Sequence, residues 1–404
     1  MAVNDHAIQD VTQLSKGKFL TLGLQHTFTM FGATVLVPII TGLNVSASLF
    51  LAGVGTILFH LITKGQVPAF LGSSFAFIAP ILAVAETHGL EYARGGIVVA
   101  GLIYLILAAL IKIFGTEKVV KFFPPIVTGP IIIVIGLKLA PTAVSMASSD
   151  WLLAVIAFCV VTAVSVFAKG FLQIIPVIIG LITTYLIAVV LGKVDFTAVQ
   201  EAGWVGMPGF SLAKFNLEAI LVVAPIALAT MVEHIGDVIA IGATVKKDFL
   251  KSPGLVRTLM GDGIATSVSA MFGGPANTTY SENTGVLALT KAWDPKIMQL
   301  AAVFAMLLGV IPKLGSLIST IPTAIIGGIS IVLFGMIASI GARTLVENQV
   351  DFTKSRNLII AAVILVLGLG GAVLPITIGA LSLSLEGMAL AAIIGILLNV
   401  VLPE

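Results

Sequence analysis

Residues 277–291 read NTTYSENTGVLALTK, a polar cluster in which a carboxylate, Glu282, opens a short apolar run. The rest of the chain is different in character. Of its 404 residues 58% are hydrophobic and 10% are charged, and the mean hydropathy is +1.15. Soluble proteins carry about 25% charged residues. The composition therefore predicts a polytopic membrane protein, in which residues 277–291 form a polar interruption.

The number of membrane spans follows from the apolar runs. A helix needs about 20 apolar residues to cross the hydrocarbon core. Twelve runs meet this requirement, and two further segments, 67–87 and 275–291, are apolar but interrupted, so the predicted total is fourteen. The twelve runs are 19–42, 46–63, 92–114, 118–140, 151–168, 172–192, 216–243, 255–272, 296–314, 322–341, 357–374 and 385–402.

The basic residues agree with this count. If the N-terminus is cytoplasmic and each span changes sides, all but five of the 21 Lys and Arg fall on the cytoplasmic side. This asymmetry is what the positive-inside rule predicts, and it places both termini inside. The five exceptions are Arg94, Lys138, Lys193, Lys214 and Lys313.

The two halves of the chain resemble each other. The interrupted segments each follow two spans from the start of their half, and PPIVTGPIIIV (124–134) is similar to PTAIIGGISIV (322–332) at a constant offset. Seven spans per half would orient the halves oppositely, which is the usual plan of secondary transporters. The predicted fold is therefore an all-α polytopic protein of two inverted seven-span repeats. In it, spans 3 and 10 are each broken into a short strand and a half-helix.

The interrupted segments also predict where a substrate binds. Two half-helices that begin near the middle of the membrane would offer free backbone N–H groups to a ligand carbonyl or anion. Paired broken spans are a good sequence indicator of a transporter site. The alternative is that Gly and Ser in these segments only permit close helix packing.

Three carboxylates, Glu233, Asp237 and Glu282, fall within predicted spans. An ionisable residue there costs about 2.5–3.5 kcal/mol to insert, so each is a candidate functional residue. Glu233 and Asp237 are four residues apart and share a helix face. For Asp237 the alternative is a structural partner of a neighbouring hydroxyl. Asp262, near the inner end of span 9, is either a cavity residue or an interfacial one.

Other ionisable residues point less clearly to function. His26 and His234 are more typical of hydrogen-bonded packing residues than of proton carriers. The single cysteine, Cys159, permits neither an intramolecular disulfide nor a cysteine-based metal cluster. We therefore expect no metal and no cofactor, with the proton as the coupling ion.

The candidate residues suit a neutral, flat ligand. Carboxylates accept hydrogen bonds from ring N–H groups, and backbone N–H groups donate to ring carbonyls. Phe75 could stack on a ring, and a carboxyl in a partly dry site can exchange a proton while the substrate moves.

These motifs resemble the nucleobase/ascorbate transporter family over essentially the whole chain, and are most similar to its uracil-transporting members. ENTGVLALTK fits the family signature, in which an acidic or amide residue precedes N-x-G-x-x-x-x-T and a basic or small residue. The segments that carry the resemblance are QHTFTMFGATVLVPI (25–39), LGSSFAF (71–77), VEHIGD (232–237) and PANTTYSENTGVLALTK (275–291).

The resemblance implies a core domain of spans 1–4 and 8–11 that moves against a gate domain of spans 5–7 and 12–14. It also implies proton-coupled uptake at the cytoplasmic membrane and a homodimer formed through the gate domains. The expected boundaries are a cytoplasmic tail at 1–16, core segments at 17–115 and 211–315, and gate segments at 116–210 and 316–404.

The resemblance also implies roles for individual residues. Glu233 would hydrogen-bond the uracil ring edge, and Glu282 would add a second contact and take part in proton coupling, together with Glu233, Asp237 and Asp262. The backbones of Phe75 and Ser281 would bind ring carbonyls. The remaining pocket residues would be Ala33, Tyr280 and Phe334.

The chain departs from the family's uracil-transporting pattern at three positions. That pattern has His at the position of Asp237, Gly at that of Ser281 and Tyr at that of Phe334. An acidic residue at 237, together with Asp262, is similar to purine-transporting members. Those members usually carry Gln or Asn in place of Glu282, so Glu282 favours uracil.

Three alternatives remain beside a uracil:proton symporter. The nearest is a xanthine or other purine symporter of the same family. An anion exchanger of the same architecture is disfavoured because Glu233 and Glu282 would repel an anion. An intramembrane enzyme is disfavoured because the sequence has no HExxH or GxSxG motif. We expect a small-molecule substrate, a lipid bilayer around the protein, and no nucleic-acid partner.

Overall fold

The computed structural model describes residues 7–378 and 381–403, and most of them are helical. The helices of the first half are α1 (Lys16–Thr41), α2 (Val45–Ile62), α3 (Ile78–Thr87), α4 (Leu90–Phe114), α5 (Thr116–Val120), α6 (Pro125–Lys138), α7 (Ala140–Ala147), α8 (Trp151–Phe167), α9 (Pro176–Val190) and α10 (Thr197–Glu201). Those of the second half are α11 (Leu217–Val223), α12 (Ala227–Val245), α13 (Leu255–Met271), α14 (Ser281–Thr290), α15 (Lys296–Gly309), α16 (Pro312–Ser319), α17 (Thr323–Glu347), α18 (Ser355–Leu369) and α19 (Gly387–Val401). Four strands are β1 (Leu71–Ser73), β2 (Asn277–Thr279), β3 (Val373–Ile378) and β4 (Leu381–Glu386).

Within the described residues, six helical segments are long and apolar enough to cross a membrane. A seventh is added if α15 and α16, which meet at an angle of 80°, form one bent span. Further apolar helices of 10–17 residues, among them α8, α9, α18 and α19, accompany them. The chain is therefore a multi-pass membrane protein.

Prolines explain where the helices depart from the predicted runs. The run 118–140 divides because α6 begins only at Pro125, directly after Pro124. The run 296–314 bends where α16 begins at Pro312. A proline has no backbone N–H and clashes with the preceding turn, so it is tolerated mainly at a helix start.

Side-chain and glycine caps fix the first two helices as neighbours. Ser15 caps α1 by accepting a hydrogen bond from the Lys18 N–H. Gly42 ends α1 with a left-handed φ of 78°, which glycine adopts without strain. Asn44 then caps α2 by accepting from the Ala47 N–H. The short turn makes α1 and α2 pack side by side.

A pair of three-residue strands lies among these helices. β1 and β2 are antiparallel, with Leu71 opposite Thr279 and Ser73 opposite Asn277. Both strands are fully buried. A helix follows each strand, so each of the segments predicted to be interrupted consists of a short strand followed by a helix.

Two threonines satisfy the outer backbone groups of this strand pair. The Thr56 hydroxyl of α2 accepts from the Leu71 N–H at 2.9 Å, and its proton is shared between the Leu71 carbonyl at 3.1 Å and the Ala52 carbonyl of its own helix at 2.9 Å. The Thr266 hydroxyl of α13 accepts from the Asn277 N–H at 3.2 Å and donates to its carbonyl at 2.9 Å. Strand edges at membrane depth must be satisfied by protein, because lipid cannot hydrogen-bond them.

Glycines allow two helix pairs to cross closely. A Cβ on Gly341 of α17 would lie 2.6 Å from the Gly129 carbonyl oxygen of α6, and one on Gly263 of α13 would lie 2.6 Å from that of Gly101 in α4. Small residues at such crossings are typical of packing between membrane helices.

Near the C-terminus the all-α prediction is wrong. Residues 373–378 and 381–386 form an antiparallel pair in which Val373 lies opposite Glu386. The sequence LSLSLE in β4 alternates apolar and polar residues with the two-residue period of a strand. Residues 373–374 and 385–386 belong to the predicted runs 357–374 and 385–402, because a short alternating pattern is hidden within a region of high hydropathy.

Candidate functional site

The strand pair positions the starts of two helices. Because the strands are antiparallel, α14 begins beyond one end of the pair and the 3₁₀ turn Phe75–Phe77, which leads into α3, begins beyond the other. Three residues of strand span about 10 Å. Neither Ser74 nor Tyr280, which precede these helical segments, caps them with its side chain. The first backbone N–H groups of both segments are therefore not satisfied by a capping side chain at the preceding residue.

Asp237 ties α12 to the break between β2 and α14. Its Oδ2 accepts a hydrogen bond from the Thr279 hydroxyl at 2.8 Å, and its Oδ1 accepts from the Ser281 hydroxyl at 2.7 Å. The side chain is nearly buried. In the structure Asp237 is thus a partner of neighbouring hydroxyls, the alternative that the sequence left open for it.

Glu233 lies one helical turn before Asp237 and is differently placed. Its side chain is partly exposed, and its carboxylate forms no hydrogen bond or ion pair with the described residues. It is within electrostatic reach of Glu282, which follows Ser281 and is exposed at the start of α14. A Cβ placed on Gly236, between the two α12 carboxylates, would meet no atom within 4 Å. The carboxylates of Glu233 and Glu282 therefore both have accessible surface.

Two aromatic rings meet close to the start of α3. The centroids of Phe75 and Phe334 are 6.0 Å apart, with the ring planes at 75°. Phe334, on α17, is 2% exposed, whereas Phe75 is half-buried. Ala33, on α1, is also buried. Only Phe75 among these three thus offers an accessible apolar face.

The Tyr280 side chain is held by hydrogen bonds within the protein. It is 4% exposed. Its hydroxyl donates to the Ser73 carbonyl at 3.0 Å and accepts from the Thr34 hydroxyl at 3.2 Å. The phenol group therefore joins β1, β2 and α1, and its hydroxyl is occupied by protein.

Asp262 forms a fully buried pair with a histidine. Its Oδ2 lies 2.9 Å from Nδ1 of His234, and both side chains are 0% exposed. The His234 ring also meets Phe59 edge-on, with centroids 6.4 Å apart. Asp262 is thus not an interfacial residue, and the pair joins α12 to α13 behind the face that carries Glu233.

The histidine of α1 contacts the signature segment. Asn283 donates from Nδ2 to the His26 carbonyl and lies within hydrogen-bond distance of His26 Nδ1, both at 3.1 Å. Both side chains are buried. This contact fixes α14 against α1.

Four hydroxyl residues of the site were missed by the sequence analysis. Thr56 and Thr266 hold the strand backbones, Thr34 holds Tyr280, and Thr279 holds Asp237. The available signal was the presence of hydroxyl residues in the apolar helices α2 and α13, shortly before each interrupted segment. Because such hydroxyls usually bond their own helix backbone, this signal is weak in one sequence.

A helical bundle with paired broken segments and accessible carboxylates is typical of a membrane transporter. A family model described as a permease family matches residues 17–377. The chain is 45% identical to a probable uracil permease of Haemophilus influenzae, covering 96% of this chain and 95% of that protein. It is 46% identical to the uracil permease of Bacillus caldolyticus, covering 96% and 92%.

The fold has a similar solved structure. The transmembrane domain of a cyanobacterial bicarbonate transporter, BicA, superposes with a TM-score of 0.62 at 15% identity, covering 95% of this chain and 96% of that one. At this identity the likeness shows the fold alone. The chain belongs to the permease family, and the resemblance to nucleobase/ascorbate transporters is confirmed. It is a transporter of a small molecule and not an enzyme.

Proposed function

We propose that this permease takes up uracil across the cytoplasmic membrane together with protons. The observation that carries the proposal is the Glu233 carboxylate, which lies within electrostatic reach of Glu282 at the uncapped start of α14 and has no partner in the described chain. Uracil offers ring N–H donors to a carboxylate and carbonyl acceptors to backbone N–H groups. The uracil permeases among the relatives support the same substrate.

The proposal includes an architecture and a mechanism. Fourteen spans form two inverted seven-span repeats, and a core domain that carries the site moves against a gate domain by alternating access. Two features support the inverted repeat. The strand–helix segments are equivalent in the two halves, and Thr56 and Thr266 make matching hydrogen bonds to the two strands. The distribution of basic residues supports cytoplasmic termini. A homodimer through the gate domains completes the proposed assembly.

Competition among nucleobases tests the substrate. Uptake of labelled uracil by cells expressing the protein should fall to background with a 100-fold excess of unlabelled uracil, and should change little with the same excess of xanthine. Glu282 underlies this expectation, because purine-transporting members usually carry Gln or Asn there.

The purine alternative makes the opposite prediction. Asp237, an acidic residue where the uracil-transporting pattern has His, favours this alternative together with Asp262. Displacement of bound ligand by xanthine but not by uracil would overturn the uracil assignment. Competition by bicarbonate would instead support an anion carrier.

The dependence of uptake on the proton gradient tests proton coupling. Initial uptake should rise several-fold when the external pH is lowered from 7.5 to 5.5, because a site carboxyl must be loaded with a proton for each cycle. A protonophore should abolish accumulation. Uptake that requires sodium and does not respond to pH would contradict the proposal. Glu233 and Glu282 are the proposed carriers, since Asp237 and Asp262 are held by neighbouring side chains.

A further inference from the structure

A large groove lies away from the strand pair, between α4 and α12 on one side and α6 and α19 on the other. Its volume is about 1060 Å³. The lining is mostly apolar, and several lining side chains are 40–56% exposed. Those exposed lining residues are Leu110, Phe114, Phe122, Leu397 and Val400.

Three basic side chains stand at one end of this groove. Lys118 and Lys121 are exposed, and neither forms an ion pair within the described part of the chain. Arg356, at the start of α18, is fixed, because its Nη2 donates to the Asn399 carbonyl at 2.6 Å and to Asn399 Oδ1 at 2.8 Å. Asn399 Nδ2 in turn donates to the Lys121 carbonyl at 3.3 Å. These hydrogen bonds thus join the ends of α5, α18 and α19 at the basic end of the groove.

The length of the groove is comparable to the thickness of the hydrocarbon part of one membrane leaflet. It follows α4 from Phe114 to Leu107 and α19 from Val400 to Ile393. Seven helical residues span about 10 Å, and one leaflet of the hydrocarbon core is about 15 Å thick. The basic end lies on the side where the positive-inside rule places the cytoplasm, so the apolar part extends inward through one leaflet.

We propose that this groove binds an anionic phospholipid, with the phosphate between Lys118 and Lys121 and the acyl chains along the apolar walls. The groove opens toward the surrounding bilayer, and its basic end complements an anionic headgroup. Basic pockets between membrane helices on the cytoplasmic side are the usual sites for such headgroups. The bound lipid would contact helices from both proposed domains, α4 and α12 from the core and α6 and α19 from the gate.

Native mass spectrometry of the purified, full-length protein tests this site. After incubation with phosphatidylglycerol or phosphatidylcholine of the same chain length, the wild type should retain phosphatidylglycerol preferentially. The double variant Lys118→Gln/Lys121→Gln should lose at least tenfold in phosphatidylglycerol affinity, since each lysine near an anionic headgroup contributes about fivefold. Phosphatidylcholine retention should not change.

A matched control removes two charges elsewhere on the same side. Lys246→Gln/Lys247→Gln, at the end of α12, should retain phosphatidylglycerol like the wild type. The melting temperature with and without lipid gives a second readout, in which phosphatidylglycerol should stabilise the wild type and the control more than the Lys118/Lys121 variant. Equal retention of the two lipids by the wild type, or equal loss in both double variants, would overturn the proposal. Displacement of the lipid by glycerol phosphate would show a site for free phosphate instead.

Discussion

Glu233→Gln should reduce uracil affinity by at least 100-fold. In the proposed complex the carboxylate accepts a charge-assisted hydrogen bond from a ring N–H, whereas the glutamine amide offers one neutral acceptor and adds an N–H₂ donor that has no acceptor to meet. Hydrogen bonds to charged groups contribute about 1.5–3 kcal/mol, and an unpaired buried donor costs about 1–3 kcal/mol more. Since each 1.4 kcal/mol is a factor of ten, the two losses together reach that magnitude. Equilibrium binding of labelled uracil to purified protein measures the change.

The control for Glu233→Gln is Lys354→Gln, which removes a charge at an exposed position just before α18. Its affinity for uracil should equal that of the wild type. If Glu233→Gln also bound uracil normally while remaining folded, Glu233 would not be a ligand of the substrate. The proposed orientation of the ring would then be wrong.

Gly72→Ala should abolish uptake because it disturbs the backbone of the strand pair. A Cβ at this position would overlap the Tyr280 ring and lie 2.7 Å from the Thr34 hydroxyl oxygen. The ring cannot retreat without losing its hydrogen bond to the Ser73 carbonyl. Because a shift of the strands would displace both helix starts, we expect uracil uptake below one tenth of the wild-type rate, with a lowered melting temperature.

Gly17→Ala is the matched control. Gly17 lies in the first turn of α1, where an added Cβ meets no atom within 4 Å. Alanine has the higher helix propensity, so uptake and stability should be preserved or slightly improved. Wild-type uptake by Gly72→Ala would show that the strand pair tolerates expansion and that its close contact with Tyr280 is not needed for transport.

Much of the fold is predictable from the sequence because membrane insertion leaves a strong one-dimensional signal. Long apolar runs gave helices such as α1, α2 and α4 with ends within a few residues, and caps such as Gly42 confirm those ends. The polar interruptions at 71–77 and 277–282 indicated a short strand in each segment, but not that the two strands pair with each other. The strands β3 and β4 were missed because alternation over six residues is a much weaker signal than hydropathy.

The site was predictable only in its charged residues. Glu233 and Glu282 stand out because carboxylates are rare in apolar spans. Their surroundings depend on contacts across long sequence separations, such as Tyr280 with Thr34 and Asp262 with His234. A hydroxyl in an apolar helix does not reveal its partner, and an ionisable side chain does not reveal whether a neighbour already holds it.

The hydrogen bonds of Thr56 and Thr266 to the strand pair have a consequence for which residues can be exchanged. The main-chain groups of Leu71 and Asn277 depend on hydroxyls supplied by other helices, so replacing Thr56 or Thr266 with an isosteric valine would strand an amide and a carbonyl in a dry interior. The Glu233 side chain carries no such hydrogen bond within the described chain. A substitution at 233 can therefore alter the contact with the substrate without disturbing the strand pair, whereas Asp237 is itself bonded to residues 279 and 281.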